Sequence, residues 1–221
     1  MANHKRRAIV WGAGGHGKVI VDALLARECW EVVAILDDDI RRAGRNVLGV
    51  TVRYAAGGLS ELMNQLDFEG VAVAIGDNYV RHRKFEEVRA RGLAPVGVVH
   101  PSAHVSRHVE LGEGVVILAG ATVTPGAVLE DNVCVNTAAS VDHDNHLGKS
   151  CHIFPKATLT GTVRVGDFAY VGSGAIVTPN RVIHKYAYVG AGAVVVKDVA
   201  EGVVVAGVPA EEIGRQPNRP E

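Results

Sequence analysis

A small parallel α/β unit followed by a prism of stacked, three-sided β coils is the fold class this sequence predicts. Three observations predict it. Residues 8–25 read as strand, glycine turn and helix, with Gly12, Gly14 and Gly17 in GxGxxG spacing. From Val99 to Val195 every sixth residue is aliphatic, seventeen positions without a break. Apolar residues make up 48% of the 221 but aromatics only 5%, with 26 glycines, which suits many short β segments and tight turns better than a helical bundle.

In the first unit, Ala8–Trp11 is a short apolar run and Val19–Leu25 carries helix-spaced apolar residues. "VVAILD" is a second strand ending at Asp37, and "GVAVAIGDN" is a third strand-to-turn unit. "YVRHRKFEEVRARG" is an amphipathic helix, and "APVGVVH" a strand leading into the repeat. Residues 1–96 therefore read as a Rossmann-like domain with a parallel sheet. Glycines at 12, 14 and 17 let the backbone approach a phosphate, to which the helix N-terminus offers free N–H groups. Asp37 stands at the distance where a Rossmann acid meets a ribose. A dinucleotide domain needs two such halves, and about 95 residues supply little more than one. The expected ligand is a mononucleotide or nucleotide sugar rather than NAD.

The repeat runs Val99, Val105, Leu111, Ile117, Val123 and onward. Period six fits neither a helix (3.6) nor a lone strand (2) on one face. It fits a coil of short strands with a turn after each. The aliphatic points inward, and a small residue such as Ala121, Ala127, Ala139 or Cys151 sits four positions on at the bend. Glycine often follows the aliphatic, as at Gly112, Gly148 and Gly166, and relieves the turn. Three hexapeptides close an 18-residue coil, so seventeen hexads fill between five and six coils. This is the hexapeptide-repeat signature of a left-handed parallel β-helix, over residues 97–200, with 201–221 as a C-terminal tail.

The net charge of −1 implies no general attraction to nucleic acid or anionic membrane. Cys29, Cys134 and Cys151 are odd in number and lack CxxC spacing, as expected of reduced thiols in a cytoplasmic protein. "MANHKRR" followed by "AIVWGAGG" is too short and glycine-rich in its apolar part for a signal peptide. No run reaches the roughly 18 apolar residues of a membrane span.

"WGAGGHGKVIVDAL", "AIGDNYVRHR", "VVHPSAHVS", "VNTAASVDHD" and "GVPAEEI" occur in that order along nearly the whole chain. Together they resemble the family of sialic-acid O-acetyltransferases and bacillosamine-pathway N-acetyltransferases. The resemblance implies acetyl transfer from acetyl-CoA to the C4 amine of a nucleotide-linked amino-dideoxy sugar, by a homotrimer with active sites at subunit interfaces. Direct attack on acetyl-CoA, with no acyl-enzyme, is expected because no nucleophilic Cys or Ser stands beside His143. UDP is the nucleotide expected from Asp37–Asp38, with GDP and dTDP open. The rival readings are sugar O-acetylation and a nucleotide-sugar-binding assembly module without catalysis.

An amine attacking a thioester must lose a proton, and imidazole suits that task near neutral pH. A carboxylate on the other ring nitrogen fixes the tautomer. The resemblance puts His143 at the base position and Asp144 at its acidic partner, with Asp142 a rival for the latter. By the same resemblance Asn136 bonds the sugar near its amine, His152 reaches the acetyl carbonyl, and the N–H of Gly161 meets the thioester oxygen or CoA. Gly12, Gly14, Gly15, His16 and Gly17 are expected at the phosphates and sugar, and Asp37 and Asp38 at base or ribose. Gly76, Asp77, Asn78 and Arg81 form the next strand-end turn, where the substrate is expected, with Arg81 either a phosphate clamp or a solvated arginine at the helix start. Gly172, Gly174, Gly190 and Gly192 are candidates for pantetheine approach, and Lys197 for a CoA phosphate. Asp142, His143, Asp144, His146 and His152 include metal-ligand types, but their spacing is not HxxxH on a helix and no metal is expected. His146 carries no implied role and reads as a solvated turn residue.

Overall fold

The computed structural model describes residues 5–27, 29–54 and 56–216. The first residues of the basic N-terminal stretch and the last five of the expected tail lie outside the described residues. The chain divides into two compact units, Met1–Pro101 and Ser102–Glu221.

The first unit contains β1 (Arg6–Trp11), α1 (Gly15–Leu25), β2 (Trp30–Leu36), β3 (Asn46–Val47), β4 (Val50–Arg53), α2 (Gly58–Gln65), β5 (Gly70–Val73), α3 (Asn78–Ala90) and β6 (Ala94–Pro95). Its sheet has the order β3-β4-β2-β1-β5-β6, parallel except for the β3–β4 hairpin. The central strand reads as an unbroken apolar run because it is buried on both faces: Ala8, Ile9, Val10 and Trp11 are at most 1% exposed. Leu59 and Leu62 of α2 and Phe85 and Val88 of α3 pack with Ile9, Leu36 and Val71 in one core cluster. The β3–β4 hairpin and α2 are additions to the expected element list. Chain order places β2 on one side of β1 and β5 on the other, so the crevice at their carboxyl ends is the switch point of the sheet.

The second unit is a left-handed β-helix. Its three walls are parallel stacks whose rungs recur every 18 residues, such as Thr122↔Ser140↔Thr158, Val128↔His146↔Arg164 and Cys134↔His152↔Tyr170. From Ile117 to Val195 every predicted inward aliphatic is at most 2% exposed, whereas Leu111, in an early rung, is 44% exposed. From Gly114 to Gly192 each hexad bends at a residue of left-handed φ, and only some of these are glycine: Gly126, Asp144, Thr162 and Asn180 form one such column. The left-handed conformation costs a non-glycine residue about 1 kcal/mol. A regular hydrogen bond between coils offsets it: from Gly126 onward the N–H of the corner residue donates to a carbonyl one coil earlier, as Asp144 does to Pro125 (3.2 Å) and Thr162 to His143 (2.9 Å). Beyond residue 200 the chain is more than a tail. Val203–Ala206 adds in parallel to Tyr188–Val189, and Glu211–Arg215 pairs antiparallel with it.

Cys134 and Cys151 are buried and Cys29 is exposed. Among the described residues no helix is long and apolar enough to cross a membrane.

Candidate functional site

Two sites emerge, one in each unit. In the first, Trp11, Gly12, Gly14, Gly15, His16, Asp37, Asp38, Arg42, Ala74, Ile75 and Gly76 line a cavity of about 420 Å³ at the carboxyl ends of β1, β2 and β5. Gly12 is obligatory: its φ is +121°, and a Cβ there would stand 2.5 Å from the carbonyl oxygen of Ala74. A Cβ on Gly17 would overlap the carbonyl oxygen of Gly12, so α1 meets the glycine turn only without one. No side chain caps α1 and no acid lies in its first turn, which leaves its N-terminus electropositive toward the cavity. His16 sits in that first turn. Burial, and then the positive charge of Arg81, push its pKa down to about 4, so the ring is neutral at pH 7.

Asp37 is 8% exposed. One oxygen accepts from the Ala13 N–H (2.7 Å) and from Arg42 Nη1 (3.2 Å), the other from the Asp39 N–H (2.9 Å). It ties the glycine turn to the loop after β2. Asp38 is the more open acid. Its carboxylate accepts from Trp11 Nε1 (3.1 Å) and pairs with Lys84 Nζ (3.1 Å), which also lies 4.0 Å over the Trp11 ring. Asp77 caps α3, accepting from the N–H groups of Tyr79 and Val80 (both 3.0 Å). Asn78 is fully buried and Arg81 is 1% exposed. Arg81 Nη1 donates to the Ile75 carbonyl (3.1 Å), and Arg81, neither solvated nor among the residues that line the cavity, holds the turn from within the protein.

In the second unit, His143 stands on the outside of a coil with 58% of its side chain exposed, and its Nδ1 lies 2.8 Å from Asp144 Oδ2. Adjacent side chains meet because Asp144 takes the left-handed corner conformation (φ 57°), which swings its carboxylate back over its neighbour. Asp142 does a different job: its Oδ1 accepts from the His143 N–H (2.8 Å) and from Thr124 Oγ1 (3.2 Å). The hydrogen bond to Asp144, with the charges of Asp142 and Asp144 adding, raises the imidazole pKa above its usual value despite some opposing desolvation. The far ring nitrogen rests against Gly161, where a Cβ would overlap Nε2. One ring nitrogen of His143 is thus held by a carboxylate, and the other stands beside Gly161.

Asn136 and His152 meet each other, with Asn136 Nδ2 3.1 Å from His152 Nε2, while Asn136 Oδ1 accepts from the Thr137 N–H (2.8 Å). His152 is 2% exposed and stacks on Phe154 with centroids 4.2 Å apart. His146 lies on a strand, not a turn, and its Nε2 pairs with Glu130 (3.0 Å) in the rung one coil earlier. Among the described residues no three His, Cys, Asp or Glu side chains are grouped to hold a metal ion. Gly172 is explained by coil stacking, since a Cβ there would stand 2.6 Å from the Val189 carbonyl oxygen. A Cβ at Gly190 would stand 3.0 Å from that of Ala206, whereas Gly174 and Gly192 take left-handed φ beside open space. Lys197 is 75% exposed, 3.7 Å from Glu211.

Three residues were missed by sequence reasoning. Arg42 and Trp11 line the cavity. Arg42 carried a weak signal, a basic pair just after the acids that end β2. The third, Asn145, is buried beside His143. It carried a stronger one, a polar residue in a column of small apolar ones.

A family model described as the PglD N-terminal domain matches residues 7–88. GDP-perosamine N-acetyltransferase from Escherichia coli O157:H7 is 32% identical over 216 residues, covering 94% of this chain and 96% of that protein. UDP-N-acetylbacillosamine N-acetyltransferase from Bacillus subtilis is 36% identical over 115 residues, 52% of each chain. The structure of perosamine N-acetyltransferase from Caulobacter crescentus, a histidine-to-asparagine mutant with CoA and GDP-perosamine, is similar with a TM-score of 0.88. It is 40% identical, covering 94% of this chain and 96% of that one. An exposed imidazole held by a carboxylate on a β-helix, a glycine-turn cavity on a small parallel sheet and full-length relatives converge: the chain is an acyltransferase and belongs to the bacillosamine-type family of nucleotide-sugar N-acetyltransferases.

Proposed function

We propose that the protein transfers the acetyl group of acetyl-CoA to the C4 amine of a nucleotide-linked amino-dideoxy sugar, with His143 as general base. The neutral amine attacks the thioester carbonyl, His143 Nε2 takes the N–H proton, the C–S bond breaks, and the departing CoA thiolate takes that proton from the imidazolium, which restores the base. Asp144 stabilises the imidazolium that forms. The observation that carries this reading is the 2.8 Å bond from His143 Nδ1 to Asp144, which leaves Nε2 as the working nitrogen. A histidine mutant crystallised with both CoA and the nucleotide sugar in the Caulobacter relative supports it.

The nucleotide we favour is GDP. Two relatives matched over nearly their full length are named for, or were solved with, GDP-perosamine, whereas the UDP-named relative matches over half. The case for UDP rested on Asp37–Asp38, and the internal bonds of Asp37 weaken it. The diphosphate would sit at the α1 N-terminus beside Arg42, with Asp38 and Gly76 toward the nucleoside and Arg81 and Asn78 acting through the turn they support. Asn136, His152, Gly161 and the glycines of the later coils would face sugar and CoA. The high exposure of His143 in one chain supports a homotrimer whose second subunit covers the cleft, since the chemistry gains from excluding water. We read the protein as cytoplasmic, where nucleotide sugars and acetyl-CoA meet.

The test is a panel of GDP-, UDP- and dTDP-linked 4-amino sugars with acetyl-CoA, followed by release of free thiol. The proposal expects the highest kcat/KM with a GDP-linked sugar and an amide product. Thiol release only with hydroxyl acceptors would overturn it.

A further inference from the structure

Four positions on from each inward aliphatic, the corner of the prism holds Ala, Val or Cys everywhere except at Asn145 and Arg181. Arg181 is partly exposed and donates to the Pro179 carbonyl (3.2 Å). Asn145 is 1% exposed. Its Nδ2 donates to the carbonyl of Asp142 (2.7 Å) and to that of Thr160 (2.9 Å), with the His143 carbonyl 3.4 Å away. Its Oδ1 is buried and has no hydrogen-bond partner among the described residues. The three carbonyls fix the amide's orientation, because a flipped amide would set Oδ1 against all of them.

A buried acceptor without a partner costs about 1–3 kcal/mol. Alanine or valine in this corner would avoid that cost, as they do in the coils above and below. The two hydrogen bonds that Nδ2 gives to the Asp142 and Thr160 carbonyls, about 1 kcal/mol net each, roughly cancel it, so stability alone does not account for an asparagine here. What the amide does is clasp two peptides: Asp142, which precedes the base, and Thr160, which precedes the glycine the base rests on. With the bond from the Thr162 N–H to the His143 carbonyl (2.9 Å), it fixes the base to the next coil.

We propose that Asn145 is a positioning residue for the general base, holding the turn that carries His143 in register with Thr160–Gly161 so that Nε2 keeps its place. The inference rests on the reading of His143 as the base. The test uses the full chain as N145V and N145A, measuring kcat, both KM values and melting temperature. The expected result is a melting temperature within a few degrees of the parent's, both KM values within about twofold, and kcat lower by about 10- to 100-fold, as displaced catalytic groups show. A parental kcat in a folded N145V, a loss confined to KM, or failure of both variants to fold would overturn it. H143N measured alongside separates the two claims. Parental turnover there sinks the base reading and this inference with it. Lost turnover there with parental kcat in N145V sinks the inference alone.

Discussion

Replacing Gly161 by alanine puts a methyl group where the His143 ring now lies. An ideal Cβ overlaps Nε2 and stands 2.5 Å from Cε1 and 3.2 Å from Cδ2. Carbon–carbon contact begins near ~3.5 Å, so the ring must withdraw by about 1 Å. The backbone cannot yield in its place. The Asn180 N–H donates to the Gly161 carbonyl at 3.2 Å, and the Thr160 carbonyl is held by Asn145 at 2.9 Å. Gly161 itself is not in the left-handed region, so alanine adds no backbone strain. The whole perturbation falls on an exposed ring and leaves folding intact. A misplacement of about 1 Å at a reacting group costs on the order of 100-fold. Thiol release at saturating acetyl-CoA and nucleotide sugar should therefore show kcat down about 100-fold in G161A, with a melting temperature within a few degrees of the parent. A parental kcat in G161A would refute the reasoning, because it would mean that the ring works from a position the glycine does not define.

Three further outcomes follow from the geometry of the two sites. Asp144 raises the His143 pKa, and a base acts in its neutral form, so turnover should climb with pH through that raised value. D144N, which asparagine can adopt at a left-handed corner, should move the acid limb of the kcat/KM profile to lower pH while lowering the plateau at least about tenfold; a limb that stays or rises contradicts the assignment. R42A removes a cation beside the α1 N-terminus and should raise KM for the nucleotide sugar about 10- to 100-fold, the worth of one charged hydrogen bond, with KM for acetyl-CoA unchanged; equal effects on both would contradict placement of the diphosphate in that cavity.

The prism was legible because its signal is periodic and long. An inward aliphatic every sixth residue leaves no other regular structure that buries all of them, and Ile117 through Val195 do lie inside. What periodicity hid was the backbone at the corners. Nothing in "VDHD" reveals that Asp144 adopts a φ of 57°, and only that conformation decides between Asp142 and Asp144 as the ring's partner. The glycine turn was legible from Gly12, Gly14 and Gly17. The contacts of Asp37 were not, because its partners Ala13 and Arg42 come from different loops and only the folded sheet brings them together. Arg81 illustrates the same limit. Its place at the start of a helix near a nucleotide turn reads the same whether the guanidinium lines the cavity or, as here, is buried against the Ile75 carbonyl.

The central claim, that one imidazole removes the amine proton, is tested most directly by single-turnover acetyl transfer in H143N with both substrates bound at saturation. Loss of a general base predicts a rate lower by about 10²- to 10⁴-fold with the affinities for CoA and nucleotide sugar retained. A rate within twofold of the parent's would contradict it.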